Sequence, residues 1–130
     1  MFMLGTKSKE RLFTCHPHLQ MIAKAAIKRI NFTVLCGYRG PTEQNDAFER
    51  GTSKLRFPNS KHNRQPSWAM DLAPWPIDWS DIDRFKALAG IVLDEAKKAN
   101  VKIRWGADWN RDGDWRDEKF RDWPHFEIDE

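Results

Sequence analysis

Tyrosine occurs once and cysteine twice in this chain, and neither a long apolar run nor a block of like charge stands out. The two cysteines, Cys15 and Cys36, show no CxxC or metal-knuckle spacing, so they read as free buried thiols of a cytoplasmic protein. No stretch approaches the roughly 18 apolar residues that a spanning helix needs. The start, Met1 to Lys7, holds too short an apolar run for a secretory signal. The expected place of synthesis and folding is therefore a cytoplasm, and any action beyond the membrane would need a separate route such as a pore or lysis. The 22 basic residues are nearly matched by 19 acidic ones, for a net charge of +3. Basic residues this scattered argue against a nucleic-acid partner and leave room only for weak attraction to an anionic polymer such as a cell envelope. Repeats, low-complexity tracts and linkers are also lacking. The 130 residues, 40% hydrophobic and 32% charged, read as one soluble domain with its own core.

Tryptophan, in contrast, occurs seven times. Trp75, Trp79, Trp105, Trp109 and Trp115 fall in the second half, where core packing competes with lining a groove for a sugar or peptide. Leu19, Ile22, Ala23, Ala26, Ile27 and Ile30 follow the spacing of one helix face over Pro17 to Ile30, with Pro17 suited to the first turn. Phe32 to Cys36 reads as a strand, and a short helix over Thr42 to Arg50 is stopped by Gly51. Thr52 to Ser67 reads as a long ordered loop, and Trp68 to Leu72 as a strand with Asp71 on the face opposite Trp68, Met70 and Leu72. Ser80 caps the next expected helix, whose buried stripe runs from Ile82 to Ala96 and which Asn100 closes. Val101 to Trp105 and Phe126 to Ile128 are the last strands, flanking a polar loop from Gly106 to Arg121. The order α, β, α, β, α, β, β implies a small α+β domain with an antiparallel sheet.

One constellation carries chemistry. His62, Asp71 and His125 make a three-ligand set of the kind that holds catalytic zinc and leaves a fourth position for water. Taken alone, His62 in a polar loop reads more often as a solvated or hydrogen-bonding histidine than as a ligand. Asp71 in an apolar strand needs a metal or strong donor to offset its burial. His125 and Glu127 share one face of the last strand, where Glu127 would orient a ligand. Asp122, three residues before His125, is placed to act as general base and then acid. Arg39 is either the cation for a developing oxyanion or a structural partner of Glu43. Ser60 either bonds substrate or steadies the His62 loop. His16 and His18 flank Pro17 at a helix start and are expected to be exposed.

Gly37-Tyr38-Arg39-Gly40 with Glu43-Gln44, Gly51-Thr52-Ser53-Lys54, Ser60-Lys61-His62, Ala69 to Pro74, Arg104 to Asn110 and Asp122-x-x-His125-Phe126-Glu127 follow in that order. Together they resemble the zinc peptidases of peptidoglycan, a group that spans bacteriophage L-alanyl-D-glutamate endolysins and D-alanyl-D-alanine carboxypeptidases and dipeptidases. The resemblance runs from about Ser8 to Ile128. It implies a Hedgehog/DD-peptidase-type α+β fold, His62, Asp71 and His125 as zinc ligands, Asp122 as catalytic acid/base and Arg39 as transition-state stabiliser. The eight residues between His62 and Asp71 exceed the family's usual gap, and the extra segment within Asn63 to Ser67 is expected to bulge. The Gly106–Arg121 region and the Arg104–Asn110 block look most like the phage enzymes. Cleavage between L-alanine and D-glutamate in the peptide stem is therefore the leading expectation, and D-alanyl-D-alanine carboxypeptidase the alternative. A non-catalytic peptidoglycan-binding module of the same fold is the third reading, which the intact Asp122 opposes. The resemblance fills the chain with one catalytic domain, without a wall-binding module or stable membrane insertion, and a monomer is expected. Acting on the wall would follow permeabilisation of the membrane by a separate pore-former.

Asp108-x-Asn110-x-Asp112-Gly113-Asp114 repeats the start of a calcium loop, with Lys119 where a bidentate glutamate would stand. A solvated acidic turn is the competing reading.

Overall fold

A computed structural model describes residues 2–118 and 120–130. Four strands form one antiparallel sheet in the order β1-β2-β4-β3: β1 is Phe32–Cys36, β2 Ala69–Pro74, β3 Ile103–Trp105 and β4 His125–Ile128. The helices are α1 (Thr6–Phe13), α2 (Pro17–Ala26), α3 (Pro41–Glu49) and α4 (Ile82–Lys98). The α+β class and antiparallel sheet agree with the expectation from sequence.

Alternation along the strands separates two chemistries. Val34, Met70, Leu72, Phe126, Ile103 and Trp105 are buried in the core with Leu19, Ile22 and Ala26 of α2 and Leu88, Val92 and Ala96 of α4. Each strand residue between them points the other way. Asp71 pairs directly with His125, and Arg104 with Glu127, so one sheet face carries a polar cluster while its reverse anchors the fold.

Four expectations need correction. A first helix, α1, precedes the predicted order; only Leu12 and Ser8 of it are buried, so it shows no apolar stripe. It docks on the outer edge of β1, where Ser8 Oγ accepts from the Val34 N–H at 2.9 Å and Arg11 donates to the Val34 carbonyl at 3.0 Å. Helix α2 ends at Ala26 instead of Ile30, because the chain tightens into a turn in which Arg29 N–H reaches the Ala26 carbonyl. The cap of α4 is Asp81, whose carboxylate accepts from Arg84 N–H; the Ser80 hydroxyl donates to Asp78. Cys15 is buried as expected, while Cys36 is only half-buried.

Candidate metal centre and cleft

His62 lies in a 3₁₀ turn, Lys61–Asn63, capped by Ser60, whose side chain accepts from His62 N–H at 3.2 Å. Ser60 is buried, and this contact steadies the histidine loop. The long segment before β2 bulges outward with both ends tied. Arg39 N–H donates to the His62 carbonyl at 2.8 Å, and Trp68 N–H to the Lys61 carbonyl at 3.0 Å. Arg64, exposed, sits 4.4 Å from the centre of the Trp68 ring. The extra residues therefore leave His62 facing β2.

Three side-chain atoms converge. His62 Nε2 lies 3.2 Å from Asp71 Oδ1 and 3.2 Å from His125 Nδ1, and His125 Nδ1 lies 3.1 Å from Asp71 Oδ1. The opposite ring nitrogens determine what these atoms carry. His62 Nδ1 is 2.8 Å from the Gly37 carbonyl, which only accepts, so that nitrogen holds the proton. His125 Nε2 is 2.8 Å from Glu127 Oε1 and is likewise the donor. Rings carrying only those protons would aim two bare lone pairs and a carboxylate oxygen at one point, a convergence that a further proton or a metal cation must reconcile. Donors about 2.0–2.1 Å from one tetrahedral ion stand roughly 3.3 Å apart, close to the observed triangle. Two imidazoles and a carboxylate also match zinc's preference for nitrogen and oxygen donors.

The electrostatics follow from this crowding. Burial opposes a charged His62 ring, but Asp71 outweighs it and draws the ring up to about 10. Burial likewise disfavours the Asp71 carboxylate, yet the two histidines hold it well below the usual range. Glu127 is drawn down to about 2: burial resists, and the His125 contact, Arg104 and Lys61 prevail. Arg104 donates to Glu127 at 2.7 Å and Lys61 lies 3.2 Å from it. Asp122 behaves oppositely. Burial first, and the charge on Asp71 second, push its carboxyl up to about 6. A carboxylate oxygen of Asp122 lies within 4.8 Å of ligand atoms of both Asp71 and His125.

Arg39 donates to Asp71 Oδ2 at 3.2 Å and to Gln44 Oε1 at 3.1 Å, so its partners are these and not Glu43. It lines a cleft of about 440 Å³ together with His62, Asp122 and His125. Gly106 braces the turn that carries Asp122 and His125. Its N–H donates to the His125 carbonyl at 2.7 Å and its carbonyl accepts from Asp122 N–H at 2.8 Å, and a Cβ at this position would overlap the Asp122 carbonyl oxygen. Of the five tryptophans, only Trp109 lines this cleft. Trp105 is buried and its indole donates to the Trp123 carbonyl at 2.8 Å, bracing the Asp122–His125 turn, whereas Trp75 and Trp79 are exposed.

His16 accepts from His18 N–H at the start of α2 and is half-buried, while His18 is exposed; neither reaches the cleft. In the 108–114 loop the candidate calcium ligands hold the loop's own backbone. Asp108 accepts from Asp112 and Gly113 N–H, Asn110 from Asp112, Asp112 from Asp114, and Asp114 from Arg116. Among the described residues, no three His, Cys, Asp or Glu ligand atoms of this loop lie within 4.8 Å of one another; Lys119 lies outside the described residues.

Sequence reasoning missed Cys36, Gln44, Lys61 and Arg104. A β-bulge between Val34 and Cys36 places Cys36 opposite Asp71, with its sulfur 3.9 Å from His62 Nδ1. Simple alternation puts it on the core face. Gln44, fully buried, uses both ends of its amide, and the α3 pattern alone held no sign of that.

Over residues 1–128 the sequence matches the family described as phage L-alanyl-D-glutamate peptidase. It is 35% identical, over 135 residues covering 98% of each chain, to the L-alanyl-D-glutamate peptidase of Escherichia phage T5. Among solved structures, the L-Ala D-Glu endopeptidase ChiX of Serratia marcescens shares its fold with a TM-score of 0.78 at 23% identity, covering 98% of this chain and 90% of that one.

Proposed function

The chain belongs to the phage L-alanyl-D-glutamate peptidase family, and from that premise we propose that it is a zinc-dependent endopeptidase hydrolysing the L-alanyl-D-glutamate bond of the peptidoglycan stem in bacterial cell-wall lysis. The observation that carries the metal assignment is the triangle of His62 Nε2, Asp71 Oδ1 and His125 Nδ1, with protons held on the far side of both rings. Beside it stands an aspartate whose carboxyl is pushed up to about 6, in the range useful for proton transfer at neutral pH.

His62, Asp71 and His125 would hold the zinc ion, which when bound supplies Lewis acidity to water and to the scissile carbonyl. Asp122 takes the proton of the attacking water and returns it to the departing nitrogen. Arg39 offers its guanidinium to the negative charge growing on the carbonyl oxygen. Glu127, itself clamped by Arg104 and Lys61, keeps His125 in the tautomer that presents Nδ1. Ser60 acts through the His62 turn. Calcium is proposed for the Asp108, Asn110, Asp112 and Asp114 loop, where alternate oxygens line one turn and Gly113 adopts a φ of 82°. No described helix is long and apolar enough to cross a membrane, and the proposed site of action is the periplasmic wall once the membrane is permeabilised.

Zinc-loaded protein incubated with purified peptidoglycan, followed by mass spectrometry of the new ends, tests the reading. Free amino ends on D-glutamate are expected. Released D-alanine would mark a carboxypeptidase instead, and binding without cleavage a non-catalytic module. Cleavage that survives both zinc removal and Asp122→Ala would sink the mechanism.

A further inference from the structure

The cleft is lined by four cationic side chains besides its histidines: Arg39, Lys54, Lys61 and Arg104. Three are already committed to carboxylates of the protein, Arg39 to Asp71, and Lys61 and Arg104 to Glu127. Among the described residues, Lys54 is the lining cation with no carboxylate partner. Its ammonium instead lies 5.1 Å from the centre of the Phe120 ring, a contact that orients the charge without neutralising it.

The backbone that presents Lys54 is unusually well held for an exposed turn. The buried Gln44 amide donates to Ser53 Oγ at 3.0 Å and to the Leu55 carbonyl at 2.7 Å, bracketing Lys54 on both sides. Ser53 and Thr52 N–H groups both return to the Ala47 carbonyl. The acceptor end of the same amide takes Arg39 and Asn63, next to His62. One side chain thus sets Lys54 in register with the reaction centre. Phe120 and Asp122 line the same cleft as Lys54, so the free ammonium shares one space with the proposed acid/base.

In the peptide stem, D-glutamate continues the chain through its side-chain carboxyl. Its α-carboxylate therefore remains on the carbon that bears the departing nitrogen. We propose that Lys54 forms a subsite for this free α-carboxylate and makes the enzyme selective for D-glutamyl over α-amidated D-isoglutaminyl stems. The inference rests on the L-alanyl-D-glutamate reading above.

The test uses two synthetic stem peptides, identical except that the D-glutamyl α-carboxyl is free in one and amidated in the other. Wild-type enzyme is expected to cut the free acid with a kcat/KM about 10- to 100-fold higher, the range of a charge-assisted hydrogen bond. Lys54→Met brings that ratio toward one, chiefly by raising KM for the free acid, and Lys54→Arg restores it. Zinc content, measured on each variant, stays at wild-type level. A wild type indifferent to amidation, or a Lys54→Met enzyme that keeps the preference, overturns the subsite while leaving the parent reading intact. A wild type that cuts neither peptide at this bond overturns both.

Discussion

Asp71 and Asp122 are two half-buried aspartates within one small site, and their neighbours push them to opposite proton affinities. Asp71 meets two imidazoles and a guanidinium and stays charged; Asp122 meets burial and the charge of Asp71 and rises to about 6. Asp122→Asn should therefore cost roughly a hundred- to ten-thousandfold in kcat while leaving zinc content intact. The wild-type acid limb of kcat/KM is expected at or below pH 6, since a bound cation further favours the carboxylate, and the variant's residual rate should lack it. In metal-free protein the sign for stability is the reverse. A carboxyl whose folded pKa is raised stabilises the fold below its unfolded value near 3.8, and that contribution is lost as pH rises through 6. Metal-free Asp122→Asn should accordingly melt higher than metal-free wild type at pH 7, with the gap closing in acid. Asp71 and His125 were legible as residues of the sheet face opposite the core, because a strand alternates strictly. Neither the proton affinity of Asp122 nor the position of Cys36 was, because one depends on burial and on the charge of Asp71, far off in sequence, and the other on a bulge that breaks alternation.

Elements with their own periodicity, such as α4 and the buried part of α2, could be read directly, whereas α1 could not. Its sequence offers Leu12 as the one buried large apolar side chain, and its place comes from polar contacts to β1 that local pattern does not encode. The turn from Asp122 to His125 is similar: β2 and the end of β3 position it, through Leu72 N–H to the Pro124 carbonyl and through Trp105 and Gly106, and Gly106 admits it by having no side chain. Gly106→Ala should force that turn away, lowering stability by about 1–3 kcal/mol and reducing zinc occupancy and turnover together. Chemical denaturation and metal analysis would check this; unchanged occupancy would show that the turn tolerates the added methyl. For the 108–114 loop, calcium titration should change tryptophan fluorescence, because Trp109 adjoins the loop and donates to the Phe120 carbonyl. Silence up to millimolar calcium would eliminate that ion.

At the scale of the whole molecule, the proposed zinc ligands come from the Lys61–Asn63 turn, β2 and β4, so binding an ion would couple a loop to two strands. Occupancy a hundredfold above the dissociation constant adds about 2.7 kcal/mol, so chelation should lower the melting midpoint by on the order of 10 °C, and equimolar zinc should restore it. A midpoint indifferent to chelator would mean that the triangle holds no ion. The other organising contact lies at one edge of the sheet, on β1 beside β2. Strand β1 ends the ladder, and the Ser8 hydroxyl and Arg11 guanidinium occupy the Val34 groups that a fifth strand would otherwise use. Helix α1 therefore serves as a stopper against self-association: stripped of it, the edge would be open to strand exchange between copies, and a crowded solution would favour clumping over catalysis.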